Sequence, residues 1–262
     1  MSTLLFVNPK LLKLFKKSIN KTLYSLSLFL SVTFYLCANN IFAINIPNGV
    51  ITKKTISKYL SKNPVIVEAG AHNGTDTLEM AKLWPNSTIH AFEPVPELFQ
   101  KIKNKIKHYS NIKIYNLALS DLIGKTKMYV SSRNDAASSL LPTNSVVFNH
   151  YQPKVLFNKE IYIESTTLDK WATVNNIKNI DFLWLDMQGY EPKMLMASPN
   201  ILKTVKVIYT EVNHKELYAG SILFNEYRKF LETQGFQLVQ VCFPFEDWGD
   251  ALFVRKNLAL VK

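Results

Sequence analysis

The chain has 262 residues, 47% of them apolar and 19% charged, with only two cysteines and a net charge of +11. That is enough for one domain of good size plus an appendage, and it excludes a disulfide framework or a CxxC-type metal site. Five lysines (Lys10, Lys13, Lys16, Lys17 and Lys21) and no acid fall in residues 1–43; the remainder sets 26 bases against 20 acids, about +6, too little to signal nucleic-acid binding.

The lysines precede Leu23–Ala38, sixteen residues without a charge, followed by Asn39, Asn40 and the small residue Ala43. This is the layout of a signal peptide, and counting Ile41 to Ala43 it is also long enough for an uncleaved anchor. Residues 1–43 are therefore expected to be one or the other. They would associate with a membrane through residues 22–43 and leave the domain membrane-associated or exported, on a side the sequence does not specify. Residues 44–63 read as a linker with a helix leading into the domain, which spans 64–256.

From Pro64 strand-like and helix-like runs alternate. A buried strand is expected at 64–69 (PVIVEA), a helix at 75–84, a strand at 87–93, a helix at 95–108 and a strand at 111–119. A hairpin strand at 126–131, a loop, a strand at 161–165 and a short helix at 167–176 follow. The second half continues with a strand at 180–186, a helix at about 190–198, a strand at 205–212, a helix at 222–234 and closing strands at 236–243 and 250–255. Continuous apolar strands alternating with helices imply an α/β fold, a mostly parallel sheet with helices on both faces, with the closing pair antiparallel. Ligands then bind at the C-terminal ends of the strands, where strand order reverses.

The first turn, Glu68-Ala-Gly-Ala-His-Asn-Gly74, discriminates between nucleotides. A dinucleotide turn of the form GxGxxG would need glycines at 72 and 75, but His72 and Thr75 stand there, and a Cβ at the second position blocks approach to a pyrophosphate. S-adenosylmethionine carries no phosphate. It needs a tight turn and a helix N-terminus for its amino-acid end, which Gly70, Ala71, His72 and Gly74 offer, with Glu68 to accept from its ammonium. Glu93, at the end of the second strand before Pro94, can accept from both ribose hydroxyls. Asn116-Leu-Ala-Leu-Ser-Asp121 ends the third strand where the adenine would lie, with Leu119 beside it and Ser120 or Asp121 as partner for its amine. The glycines could equally end a strand and permit helix packing, and His72 could simply fill the turn. A buried Glu68 has no such inexpensive structural reason.

These residues, with IHAFEPVPELF (89–99), NLALSD (116–121), TTLDKWA (166–172), IDFLWLDMQGYEPKML (180–195), VIYTEV (207–212) and GDALFVR (249–255), resemble the FkbM family of S-adenosylmethionine-dependent methyltransferases over roughly 64–256. The resemblance implies a seven-stranded, Rossmann-like class I methyltransferase fold and, usually, O-methylation. The chain departs from many members in having Trp184 and Gln188 around Asp186, where they carry lysine and glutamate.

The candidates for the chemistry are Asp186, Glu191, Glu211 and His214, all at or just after the ends of the fourth and fifth helix-alternating strands. Asp186 is expected to position cofactor or acceptor, His214 to serve as a base or stand by, and Glu191 to act in the site or cap the following helix. No histidines and carboxylates cluster at metal-ligand spacing, and no Asp/Asn-Pro-Pro-Tyr run points to DNA bases. The acceptor expected is a small molecule, glycan or lipid-linked compound, touched by the loop 132–160. The alternative is an exported or anchored binding module that keeps the fold without activity.

Overall fold

The computed structural model describes residues 46–132, 134–144, 157–258 and 260. The signal-peptide or anchor segment 1–43 lies outside the described residues, as does the middle of the loop 132–160. Among the described residues no helix is long and apolar enough to cross a membrane.

Seven strands form the main sheet: β1 (Val65–Ala69), β2 (Thr88–Phe92), β3 (Ile112–Tyr115), β7 (Phe182–Leu185), β8 (Val207–Asn213), β9 (Phe236–Cys242) and β10 (Trp248–Arg255), in the order β3-β2-β1-β7-β8-β10-β9. All neighbours are parallel except β10, which runs antiparallel to both β8 and β9. The chain walks from β1 to one edge and returns on the other side of β1, so the order reverses between β1 and β7. That is where ligands bind in such sheets.

Each central strand splits its side chains between two cores. Val67 and Ala69 of β1, with Leu183 and Leu185 of β7, pack with α4 (Leu168–Val174), α5 (Glu191–Met196), α6 (Pro199–Leu202) and α7 (Phe224–Thr233). Ile66, Phe182 and Trp184 face the other way, toward α1 (Lys53–Ser57), α2 (Thr75–Leu83) and α3 (Pro96–Lys105). Strands buried on both faces are apolar without alternation, which is why the sequence shows continuous runs.

The strand expected at 111–119 divides. β3 stops at Tyr115 because the Asn116 side chain donates to the backbone oxygens of Glu93 (3.0 Å) and Pro94 (2.9 Å), ending the ladder. The chain then leaves the main sheet as β4 (Ala118–Leu119), which joins β5 (Gly124–Ser131) and β6 (Phe157–Thr166) in a second, three-stranded sheet. Residues 46–63 are bound into the domain rather than lying beside it: Val241 and the 47–49 segment exchange backbone hydrogen bonds, and Ile56 is wholly buried.

Candidate active site

At the switch point the β1–α2 turn is built on one close approach. Gly70 has φ +90°, and a Cβ placed there would lie 1.8 Å from the carbonyl oxygen of Asp186 at the end of β7; only glycine lets the two strand ends meet so closely. His72, at φ +49°, takes the left-handed conformation too, and its ring turns outward to Asp135 (2.8 Å). Gly74, at φ +78°, starts α2 against Ile102.

This turn forms one wall of a cavity of about 330 Å³, lined by Gly70, Ala71, His72, Glu93, Pro94, Leu119 and Asp186 of the expected residues, and by Asp135, Met187 and Tyr190 among others. Glu93 is held by two backbone donors, His72 N–H (2.7 Å) and Val95 N–H (2.8 Å). Burial pushes its carboxyl up to about 7 against the pull of those bonds, with Asp135 adding to the rise. Each oxygen keeps lone pairs for a further donor, so the group fits a diol at the cavity wall.

Glu68 does not line this cavity. It sits two residues down β1, on the face covered by α2, where Thr77 Oγ1 donates to it. Burial raises it to about 8, and the hydrogen bond opposes that. Its side chain points under the helix because strand alternation leaves it no other direction, and the expected contact with a ligand's ammonium is not formed by this geometry. Gly74 supports the turn from behind. Ser120 closes its own turn with Leu122, and Asp121 accepts from the Tyr190 hydroxyl (2.6 Å), so it approaches the cavity only through Tyr190.

A second cavity, about 350 Å³, adjoins the first, with Asp186 and Ala136 common to both walls. It is lined by Asp186, Glu211 and Asp250 together with Gln188, Tyr209, Tyr218 and Trp248. The three carboxyls stand in a row across β7, β8 and β10: Leu185 pairs with Thr210, putting Asp186 beside Glu211, and Glu211 pairs with Asp250. Asp186 is exposed and opens into both cavities. The protein packed around its carboxyl raises its pKa, opposed by the hydrogen bond from Gln188. Glu211 is raised well above the usual range by burial, then by Asp186, Glu191 and Asp250. Asp250 is raised to about 6 by burial, opposed by its bond with Tyr209. The described residues contain no group of three histidines, cysteines or carboxylates placed to hold a metal ion.

Two of the four residues expected to carry the chemistry reach neither cavity. Glu191, 1% exposed, turns back to accept from Met187 N–H (2.6 Å), so it caps the turn after β7. His214 lies against Phe224 and Phe243 instead, and burial lowers its pKa. Trp184 is a core residue, stacked on Tyr209 at 3.9 Å with the Lys53 ammonium 4.4 Å over its ring. Asp250, Asp135, Tyr209 and Tyr218 were missed. Asp250 had a signal, an acid inside a largely apolar strand, as Glu68 is in β1.

Against known proteins, the family model described as methyltransferase FkbM domain matches residues 68–238. The 2-O-methyltransferase NoeI of Sinorhizobium fredii is 26% identical over 216 residues, 79% of this chain and 86% of that protein. Methyltransferase 1 of Beauveria bassiana is 27% identical over 152 residues, 50% of this chain and 56% of that one. The crystal structure of methyltransferase FkbM from Methylobacillus flagellatus superposes with a TM-score of 0.51 at 12% identity, covering 80% of this chain. The chain spans about half, 48%, of that structure's length, and the likeness bears on the fold. None of these comparisons supports a fold kept without activity.

Proposed function

The chain belongs to the methyltransferase FkbM family, and on that premise we propose that it methylates a hydroxyl of an uncharged acceptor, a sugar unit of a small molecule, glycan or lipid-linked compound. It is an S-adenosylmethionine-dependent methyltransferase. The observation that carries the proposal is the pair of cavities meeting at Asp186.

The first cavity fits the cofactor by its own chemistry. A turn without a Cβ at Gly70, backbone N–H groups at the start of α2 and a carboxyl at Glu93 offer partners to a carboxylate and a diol, and none of the cavity's described wall is a phosphate cradle. Gly70 and Ala71 would hold the amino-acid end, Glu93 the ribose, and Leu119 with Tyr190 the base. Bound S-adenosylmethionine supplies a methyl group already activated on sulfonium, so the protein's task is alignment, proton removal and exclusion of water.

The second cavity supports the choice of acceptor. Its described lining holds three carboxyls, three aromatic rings and no lysine or arginine, which repels a phosphate or carboxylate and favours hydroxyls against carboxyl oxygens with an apolar sugar face on Trp248 or Tyr209. The name of the Sinorhizobium relative supports oxygen as the methylated atom. The lysine-flanked apolar run at 22–43 supports association with a membrane.

Calorimetry on the full chain should give micromolar binding of S-adenosylhomocysteine and none of NAD. Tritiated methyl transfer should then go to neutral methyl glycosides and not to sugar phosphates. Transfer to phosphorylated acceptors alone would overturn the neutral-acceptor reading. Protease protection of the domain in vesicles tests the membrane association.

A further inference from the structure

We propose that Glu211 is the positioning acid of this site: it directs its own proton into a hydrogen bond to Asp186, leaving Asp186 as the ionised group that takes the acceptor's hydroxyl proton. This rests on the methyl-transfer reading above.

Asp186 and Glu211 follow a parallel pair on adjacent strands and point to the same side, and both carboxyl groups close on one donor, the Gln188 amide nitrogen, at 2.7 and 2.9 Å. Two carboxylates crowded on one amide nitrogen repel each other and have no donor between them, and a single proton shared by the pair relieves both problems. No ion pair of the described residues reaches Asp186, Glu211 or Asp250. Lys53, whose ammonium lies over the Trp184 ring, is bound to Asp76 and Glu79. A proton therefore does what a cation would do.

Which carboxyl carries it follows from the surroundings. Glu211 is 9% exposed and lies between Asp186, Asp250 and Glu191. Asp186 is open to both cavities and faces His72. The Gln188 amide nitrogen donates to Asp186 (2.7 Å) and to Glu211 (2.9 Å), and the Tyr218 hydroxyl fixes that amide's orientation by donating to its oxygen (2.6 Å). With the proton on Glu211, Asp186 accepts from both Gln188 and Glu211, and its negative charge is the better satisfied. At transfer the acceptor O–H bond breaks and its proton passes to Asp186. The oxygen bonds the methyl carbon as the carbon–sulfur bond breaks with its electron pair left on sulfur, and Asp186 then gives the proton to water. The other titratable groups facing the pair are Asp250 from β10, Tyr209 from β8, Glu191 from α5, Asp76 from α2, and Tyr218.

The test needs no acceptor. In the full-length chain carrying ¹³C-labelled aspartate and glutamate carboxyls, NMR at neutral pH should show Glu211 as a neutral acid and Asp186 as a carboxylate. Glu211→Ala, which removes a donor, should move the Asp186 midpoint up by about one pH unit, and Glu211→Gln, whose amide donates instead, should return it. A downward move in Glu211→Ala would mean that an ionised neighbour was lost and would overturn the proposal; so would an ionised Glu211 in the wild type, which decides alone if the variants do not fold. The intended proton arrangement without methylation of glycosides would fail the functional reading only, and methylation with both groups ionised would fail this one only.

Discussion

The two cavities that meet at Asp186 are made differently. The cavity proposed for the cofactor is defined mostly by backbone: a turn that only glycine can close against β7, and a carboxyl at Glu93 whose oxygens are already tied to two N–H groups. The neighbouring cavity is defined by side chains, a row of carboxyls from three strands locked by Gln188 and aromatic hydroxyls. Backbone geometry is insensitive to most substitutions and suits a ligand that does not vary. A side-chain lining can be rewritten residue by residue, which suits a ligand that varies.

The largest effect should come from Gly70→Ala, which strikes the wall holding both cavities. The added methyl meets Asp186 O at 1.8 Å and forces φ +90° on a residue with a Cβ. More than about 3 kcal/mol of stability should be lost, seen as an earlier denaturant midpoint together with lost S-adenosylhomocysteine binding. Unchanged unfolding would break the claim that backbone defines this side.

Asp186→Asn should come next. Removing the proton acceptor should lower kcat by about 10² to 10⁴, whereas S-adenosylhomocysteine affinity, set mostly by the turn and Glu93, should change less than tenfold. A variant with equal losses in both would erase the division between the cavities.

Glu93→Ala reverses that pattern. Losing charge-assisted bonds to a diol and orphaning two N–H groups should cost about 3 kcal/mol, on the order of a hundredfold in Kd. Because the Glu93 carboxyl is raised to about 7, wild-type affinity should weaken as pH falls through that value, and Glu93→Gln should remove the dependence in calorimetry.

The smallest effect concerns Glu68, outside both cavities. Its folded value of about 8 exceeds the unfolded value near 4.5, so between them the folded state binds more protons and stability falls as pH rises. Glu68→Gln keeps an acceptor for Thr77 and should flatten that decline, by on the order of 2 kcal/mol at the alkaline end, in thermal melts across the window. Cofactor binding should be unaffected, which sharpens the boundary of the site.

Much of this was legible before any coordinates. Strands buried on both faces write continuous apolar runs, and helices between them write a different period, so the alternation and the parallel sheet could be read directly. Gly70, His72 and Glu93 stand out in the sequence because a turn and a strand end are local features, and all three line the first cavity. Glu68 was placed correctly in its strand but misassigned in direction: whether a buried acid at that position faces a ligand or a helix depends on which face α2 covers. Glu191 and His214 were chosen because they follow strand ends, but proximity in sequence does not say where a side chain turns, and one caps a backbone turn while the other packs on Phe224 and Phe243.

By itself the amino-acid order determined the class of fold, the place of the first turn and the exclusion of a pyrophosphate ligand, because these depend on contacts within a few residues. Only the tertiary structure decided that Asp186, Glu211 and Asp250 form one row. Their 64-residue span closes through strand order and register, a parallel pair followed by an antiparallel one, and such long-range pairing is set by how the whole sheet buries its two faces, not by any segment's own pattern.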